Sequence, residues 1–159
     1  MDKPPRNQNE SLLSKKLIVK AFLWYGILGS IASAIAYFFV NIQNGWPKVA
    51  LASGDDPIYI KATAMALAAI VFSQIGAVFN CRTEKQSVFK AGLFGNKQVN
   101  FGIFFEILLI IAFVYLPPLQ PIFHTAALNL SDWLILCVMP PLILLIEETR
   151  KAWTRRKKI

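Results

Sequence analysis

The chain has 159 residues, of which 55% are hydrophobic and 16% are charged, and its formal net charge is +8. This length suits one small unit rather than two domains, and a mean hydropathy of +0.48 is typical of a membrane protein rather than a soluble one. The positive charge does not indicate nucleic-acid binding, because the basic residues flank apolar stretches, where they set topology and contact anionic lipid.

The first half of the chain predicts two membrane spans. Residues 1–16 are polar and are expected to form a cytoplasmic N-terminal segment. A helix rises about 1.5 Å per residue, so about 20 apolar residues cross a bilayer core of roughly 30 Å. The apolar stretches therefore predict spans over residues 17–41 and 60–80, joined by residues 42–59, which are rich in turn-forming Asn, Gly and Pro.

The second half predicts two more spans and a basic tail. The third span is expected over residues 101–116, because the two prolines that follow it cannot continue a helix. The fourth is expected over residues 131–149, with Ser131 or Asp132 as its N-cap. A proline pair in the middle of this helix is expected to kink it. Residues 152–159 form the tail, which is expected to be cytoplasmic.

Basic residues are distributed unevenly between the two sides that four spans define. Of the 17 Lys and Arg residues, 15 lie before residue 21, between residues 81 and 100, or after residue 148. Cationic segments stay cytoplasmic, so both termini are predicted to be cytoplasmic. The sequence therefore predicts an all-α, integral membrane four-helix bundle over residues 17–151, with a multi-pass location in the cell membrane.

Small residues recur at helical spacing in the first two spans, where they allow helix backbones to approach closely in lipid. The candidate packing positions are Gly26, Gly29, Ser30, Ser33, Ser73, Gly76 and Ala77. These positions fit a tight seam between the first two spans, contact with a helix outside this chain, or packing of no special role.

Gln74 and Glu106 are the most prominent polar residues within the spans. Both are expected about 9 Å from the cytoplasmic ends of their helices, so antiparallel neighbours would bring them level. An unpaired carboxylate in a span is costly and often marks an ion or proton path. An amide oxygen beside it suits a hard cation or a shared proton. A purely structural role for Glu106, or extension of its side chain to the interface, is the alternative.

No pattern in the sequence indicates catalysis. The sequence has no phosphate-binding Gly-rich loop, no nucleophile paired with a base and no Cys/His metal motif. We therefore expect no catalytic residue, no metal site beyond the two candidate cation ligands, and no cofactor bound by this chain alone.

Three stretches, at residues 74–89, 115–119 and 133–151, together resemble a known family. With the head at residues 1–6, they are similar to the C-terminal membrane domain of type II P-type cation-transporting ATPases, the calcium and sodium/potassium pump group. That domain supplies helices seven to ten of ten. The similarity covers essentially the whole chain, in order.

The resemblance implies roles for individual residues. Gln74 matches an eighth-helix position that is Glu in calcium pumps of the reticulum type and Gln in plasma-membrane calcium pumps and sodium pumps. Glu106 matches a ninth-helix Glu of the sodium pump's third sodium site. Ala77 stands where that pump has Asp, and the first connection lacks the motif that docks its β subunit. Neither a complete third sodium site nor that subunit is therefore expected.

The family's phosphorylation motif, Asp-Lys-Thr-Gly-Thr, does not occur in this sequence. The resemblance therefore implies a piece of an ATP-driven cation pump that supports the transport helices and is inactive alone. Its implied partners are the lipid bilayer and the remaining helices and cytoplasmic domains of the pump, with a transported cation and Mg-ATP, but not nucleic acid. The alternatives are a free-standing, four-span oligomeric cation or proton transporter or channel, and an accessory membrane subunit.

Overall fold

The structure, a computed structural model, describes residues 19–81, 88, 92 and 95–156. Within these residues the chain is helical and has no strand. A π-helical turn at Lys20–Tyr25 leads directly into the first α-helix. The α-helices are α1 (Gly26–Gln43), α2 (Pro57–Cys81), α3 (Lys97–Tyr115), α4 (Gln120–Phe123) and α5 (Leu130–Arg156). The predicted N-terminal segment, residues 1–16, lies outside the described residues.

Four helical segments are long and apolar enough to cross a membrane. They are Phe22–Gln43, Pro57–Cys81, Lys97–Tyr115 and Leu130–Thr154. This finding confirms the prediction of an all-α chain with four spans. The last span is longer than its central apolar stretch, because α5 continues through Pro140 and Pro141 rather than ending there.

α2 is the central helix of the bundle. It packs most extensively against α1, then against α5 and then against α3. Of the residues in its apolar membrane-crossing stretch, 56% are buried, compared with 11% in α3, which therefore lies at the edge of the bundle. Small side chains allow this close packing, since Ala62, Ala68 and Ala69 are all fully buried on α2. The outer surface of α3 is apolar and suits contact with lipid.

The hydrophobic core has two parts. The larger part joins α1, α2, the end of α3 and the first part of α5. The smaller part, here named the C-terminal cluster, consists of the buried residues Ile75, Phe79, Val88 and Leu144. It lies at the end of the bundle where α2 and α5 finish, which we call the C-terminal end. Val88 belongs to the connection between α2 and α3, so this connection contributes to the core.

The start of α5 differs from the prediction. The Asn129 carbonyl accepts the backbone N–H groups of Asp132 and Trp133, so the helix begins at Leu130. The prediction of Ser131 or Asp132 as the N-cap is therefore wrong. Asp132 is the third helical residue, and its Oδ2 accepts the Asn129 N–H at 2.7 Å. This bond is the second half of a capping box, in which a first-turn side chain bonds the backbone of the capping residue.

Candidate functional site

An open groove of about 790 Å³ runs between α1 and α2 within their membrane-crossing segments. Its walls hold five of the seven candidate packing positions together with Gln74. These residues are Gly26, Gly29, Ser30, Ser33, Ser73 and Gln74. Small residues make the groove wide, and the hydroxyl and amide groups of Ser30, Ser33, Ser73 and Gln74 place polar atoms on its otherwise apolar walls.

The two walls of the groove are close at Gly29 and apart at Gly26. A Cβ atom added to Gly29 would lie 3.4 Å from Ser73 Oγ, whereas one added to Gly26 would meet no atom within 4 Å. The hydroxyls of Ser30 and Ser73 donate to backbone carbonyls of their own helices. The tight seam between the first two spans is therefore local, and it opens toward the start of α1.

Gly76 packs against α5 rather than α1. A Cβ atom added to Gly76 would lie 2.7 Å from the Pro140 carbonyl oxygen and 2.9 Å from the Cβ atom of Ile143. Both distances are shorter than any ordinary contact, so only glycine allows α2 and α5 to approach this closely. Ala77, the last candidate position, is half-buried. The small residues of α2 therefore serve two different neighbouring helices.

The structure places Gln74 and Glu106 on different surfaces. Gln74 is exposed in the groove between α1 and α2. Glu106 is half-buried on α3, beside Ile103 and Ile107, which pack against the C-terminal cluster. Neither side chain makes a hydrogen bond or ion pair with a residue of the described chain. The two residues are therefore not joined, and each presents an unpaired polar group within a span.

A buried ion pair joins α2 to α5 near the start of α5. Lys61 Nζ lies 2.8 Å from Asp132 Oδ2, and the exposed fractions of the two side chains are 18% and 0%. Lys61 lies close to the start of α2, which begins at Pro57. The other carboxylate oxygen, Oδ1, has no hydrogen-bond partner within the described chain. The pair fixes the second span against the fourth.

A second buried carboxylate lies at the C-terminal end of the bundle. Glu147 is fully buried, and its Oε2 accepts the indole N–H of Trp24 at 2.9 Å. Two guanidinium nitrogens of Arg150 donate to the two Glu147 oxygens, each at 2.7 Å. The i, i+3 spacing of Glu147 and Arg150 predicts that they pair, but it does not predict that Glu147 is buried.

Lys151 is also buried, with 2% of its surface exposed. Its Nζ donates to the backbone and side-chain oxygens of Asn80, both at 3.3 Å, and lies 3.4 Å from Glu148 Oε1. The lysine charge thus sits at the carbonyl end of α2, where a helix favours a cation. Nothing in the local sequence indicates this contact, because it joins residues far apart in the chain.

These features define a class of protein: a multi-pass helical membrane domain that pairs most of its buried charges internally and leaves an open groove, Gln74 and Glu106 available to other groups. Residues 1–153 match the family model described as cation transporting ATPase, C-terminus. The chain belongs to this family. The match confirms the resemblance to the C-terminal membrane domain of P-type pumps and does not favour a free-standing transporter.

Similar proteins include calcium pumps from fungi, bacteria and animals. Calcium-transporting ATPase 1 of Schizosaccharomyces pombe is 32% identical over 158 residues, covering 99% of this chain and 16% of that protein. The calcium-transporting ATPase of Bacillus subtilis is 33% identical over 139 residues, covering 87% and 14%. Calcium-transporting ATPase type 2C member 1 of Mus musculus is 30% identical over 156 residues, covering 98% and 16%. The chain therefore spans only a small part of the length of these relatives.

Proposed function

We propose that this chain acts as the C-terminal membrane part of an ATP-driven calcium pump, in which it braces the transport helices and supplies polar groups beside the ion path. The family match over residues 1–153 carries the proposal. The names of the similar proteins support calcium as the transported cation. Mg-ATP would act elsewhere in the pump, and the described residues contain no cluster of three or more His, Cys, Asp or Glu ligands.

The groove between α1 and α2 is proposed as the seat of a transport helix from the rest of the pump. Its open end at Gly26 allows the close backbone approach that drives helix association in lipid. Ser33 and Gln74 line the same groove, and lipid cannot satisfy the hydrogen bonds of an amide. A neighbouring helix would supply those partners, and Gln74 would then lie at the boundary between this chain and the transport helices.

Glu106 is proposed as a second polar contact with the rest of the pump or with its cation. An unpaired carboxylate within a span costs several kcal/mol, so a partner is expected beside it. We further propose that both termini are cytoplasmic and that the protein resides in the cell membrane, because basic residues concentrate on one side of the four spans. Thiol labelling of Gly54→Cys and Gly92→Cys, each combined with Cys81→Ser and Cys137→Ser, in sealed vesicles whose outer face corresponds to the cell exterior, tests this: only the Gly54→Cys variant should react from outside.

A domain exchange tests the proposed function. We expect Calcium-transporting ATPase 1 of Schizosaccharomyces pombe to retain ATP-dependent calcium uptake into vesicles when this chain replaces its own C-terminal membrane domain. The purified chain alone should neither hydrolyse ATP nor move calcium. ATP hydrolysis by the purified chain, or cation flux through it in liposomes, would contradict the proposal and favour a free-standing transporter.

Substitution of Gln74 in the same chimaera tests its place beside the ion path. The Gln74→Ala variant is expected to raise the calcium concentration for half-maximal uptake about tenfold, which corresponds to ~1.4 kcal/mol. Gln43→Ala is the matched control, because Gln43 is also an exposed amide, on α1, and does not line the groove. Unchanged calcium dependence in both Gln74→Ala and Glu106→Gln would leave the chain with a bracing role alone.

A further inference from the structure

We propose that the end of α5 forms a polar latch, made of Glu147, Glu148 and Lys151, which holds Val88 and the start of the first span in fixed positions. Each of these three side chains binds a different neighbouring element. One turn of α5 thereby contacts the start of the first span, Val88 and the end of α2. The latch is a conformational device independent of the proposed pump activity.

Glu148 binds Val88, which lies between α2 and α3. The Val88 backbone N–H donates to Glu148 Oε1 at 3.0 Å, and the Val88 side chain is only 1% exposed. That side chain packs in the C-terminal cluster with Ile75, Phe79 and Leu144. The hydrogen bond from a backbone N–H to a carboxylate is stronger than one to a neutral acceptor. Val88 is thus docked on the bundle by an apolar contact and a charge-assisted hydrogen bond together.

Lys151 positions Glu148 for this contact. Its Nζ lies 3.4 Å from the same Oε1 atom that accepts the Val88 N–H, and it also binds Asn80 at the end of α2. A buried ammonium group must keep its polar partners, because unpaired burial of a charge is costly. The lysine therefore holds the Glu148 carboxylate between α2 and Val88.

Glu147 extends the latch to the first span. Its carboxylate accepts the Trp24 indole N–H at 2.9 Å, and Tyr25 lies beside it. Tyr25 and Gly26 line the end of the groove between α1 and α2. Glu147 and Glu148 are adjacent on one helix, so a shift of this turn of α5 would move Val88 and the groove entrance together.

Amide hydrogen exchange measured by NMR tests the latch on the full chain, labelled with ¹⁵N-valine and ¹⁵N-tryptophan in lipid nanodiscs. The Val88 amide should be protected, and Glu148→Ala and Lys151→Met should each raise its exchange rate by about tenfold or more. Glu147→Gln is the matched control: it should change Val88 exchange by less than about twofold but accelerate exchange of the Trp24 indole N–H.

Two results would overturn the proposal. One is exchange of the Val88 amide at the rate of an unstructured peptide in the unaltered chain. The other is unchanged Val88 exchange in both Glu148→Ala and Lys151→Met while circular dichroism shows intact helices. Should either variant lose helicity, Glu148→Gln replaces it, since glutamine keeps an acceptor oxygen but removes the charge, and its Val88 amide should still exchange faster than that of the unaltered chain.

Discussion

The Asp132→Ala variant is expected to lower the free energy of unfolding by about 3 kcal/mol, because removal of one partner from a buried ion pair leaves an uncompensated charge. Asp132 is fully buried, and Lys61, at 2.8 Å, is only 18% exposed. The substitution also removes the acceptor of the Asn129 N–H, which organises the first turn of α5. Denaturant-induced loss of helicity in detergent micelles measures the effect.

The matched control for this experiment is Asp55→Ala. Asp55 is an exposed carboxylate whose ionic neighbour within the described residues, His124, lies 3.7 Å away, so its loss should change stability by less than about 0.5 kcal/mol. Replacing both partners, as in Lys61→Met with Asp132→Leu, should recover most of the lost stability, since no charge is left unpaired. A double variant less stable than Asp132→Ala would contradict a role for the ion pair.

The Gly76→Ala variant is expected to lose about 2 kcal/mol of stability, within the range for overpacking of a well-packed core. The new methyl group would lie 2.7 Å from the Pro140 carbonyl oxygen, which is backbone and cannot rotate away. The two helices must then separate, and the contact between α2 and α5 loosens. The loss should appear in the same unfolding experiment, and Gly76→Leu should prevent folding of the bundle.

Gly26→Ala is the control for this second prediction. A Cβ atom at Gly26 would meet no atom within 4 Å, so the substitution should be neutral or slightly stabilising through the higher helix propensity of alanine. Gly29→Ala should lie between the two, because its Cβ atom would make an ordinary contact with Ser73. Equal effects at Gly26 and Gly76 would show that general helix propensity, rather than the α2–α5 contact, determines stability.

The four spans could be predicted from the sequence because length and apolar content are local properties of a segment. The end of α3 could also be predicted from the sequence, since Pro117 and Pro118 follow it closely. The start of α5 was not, because the capping bonds of Asn129 depend on the side chain of Asp132, which the sequence suggested as the cap itself. Side-chain direction in the first turn cannot be read from composition.

The candidate site was harder to predict, because α2 is buried on several sides. Ser73 and Gly76 are both small and lie one turn apart, yet the first faces α1 and the second faces α5. Their spacing alone does not distinguish the two partners. The expected depths of Gln74 and Glu106 along their helices follow from helical rise. Their separation on different surfaces depends on how each helix is rotated about its own axis. Only the assembled bundle fixes that rotation.

The ion pair between α2 and α5 has a consequence for biosynthesis. Lys61 precedes Asp132 by about 70 residues, and ribosomes add about 5–20 residues per second. Roughly 4–14 s therefore pass between the synthesis of the lysine and that of its counter-ion. During that interval its ammonium group must stay near the headgroups, which a long side chain close to a helix end can reach. The ion pair between the second and fourth spans can therefore form only after the last span has been synthesised.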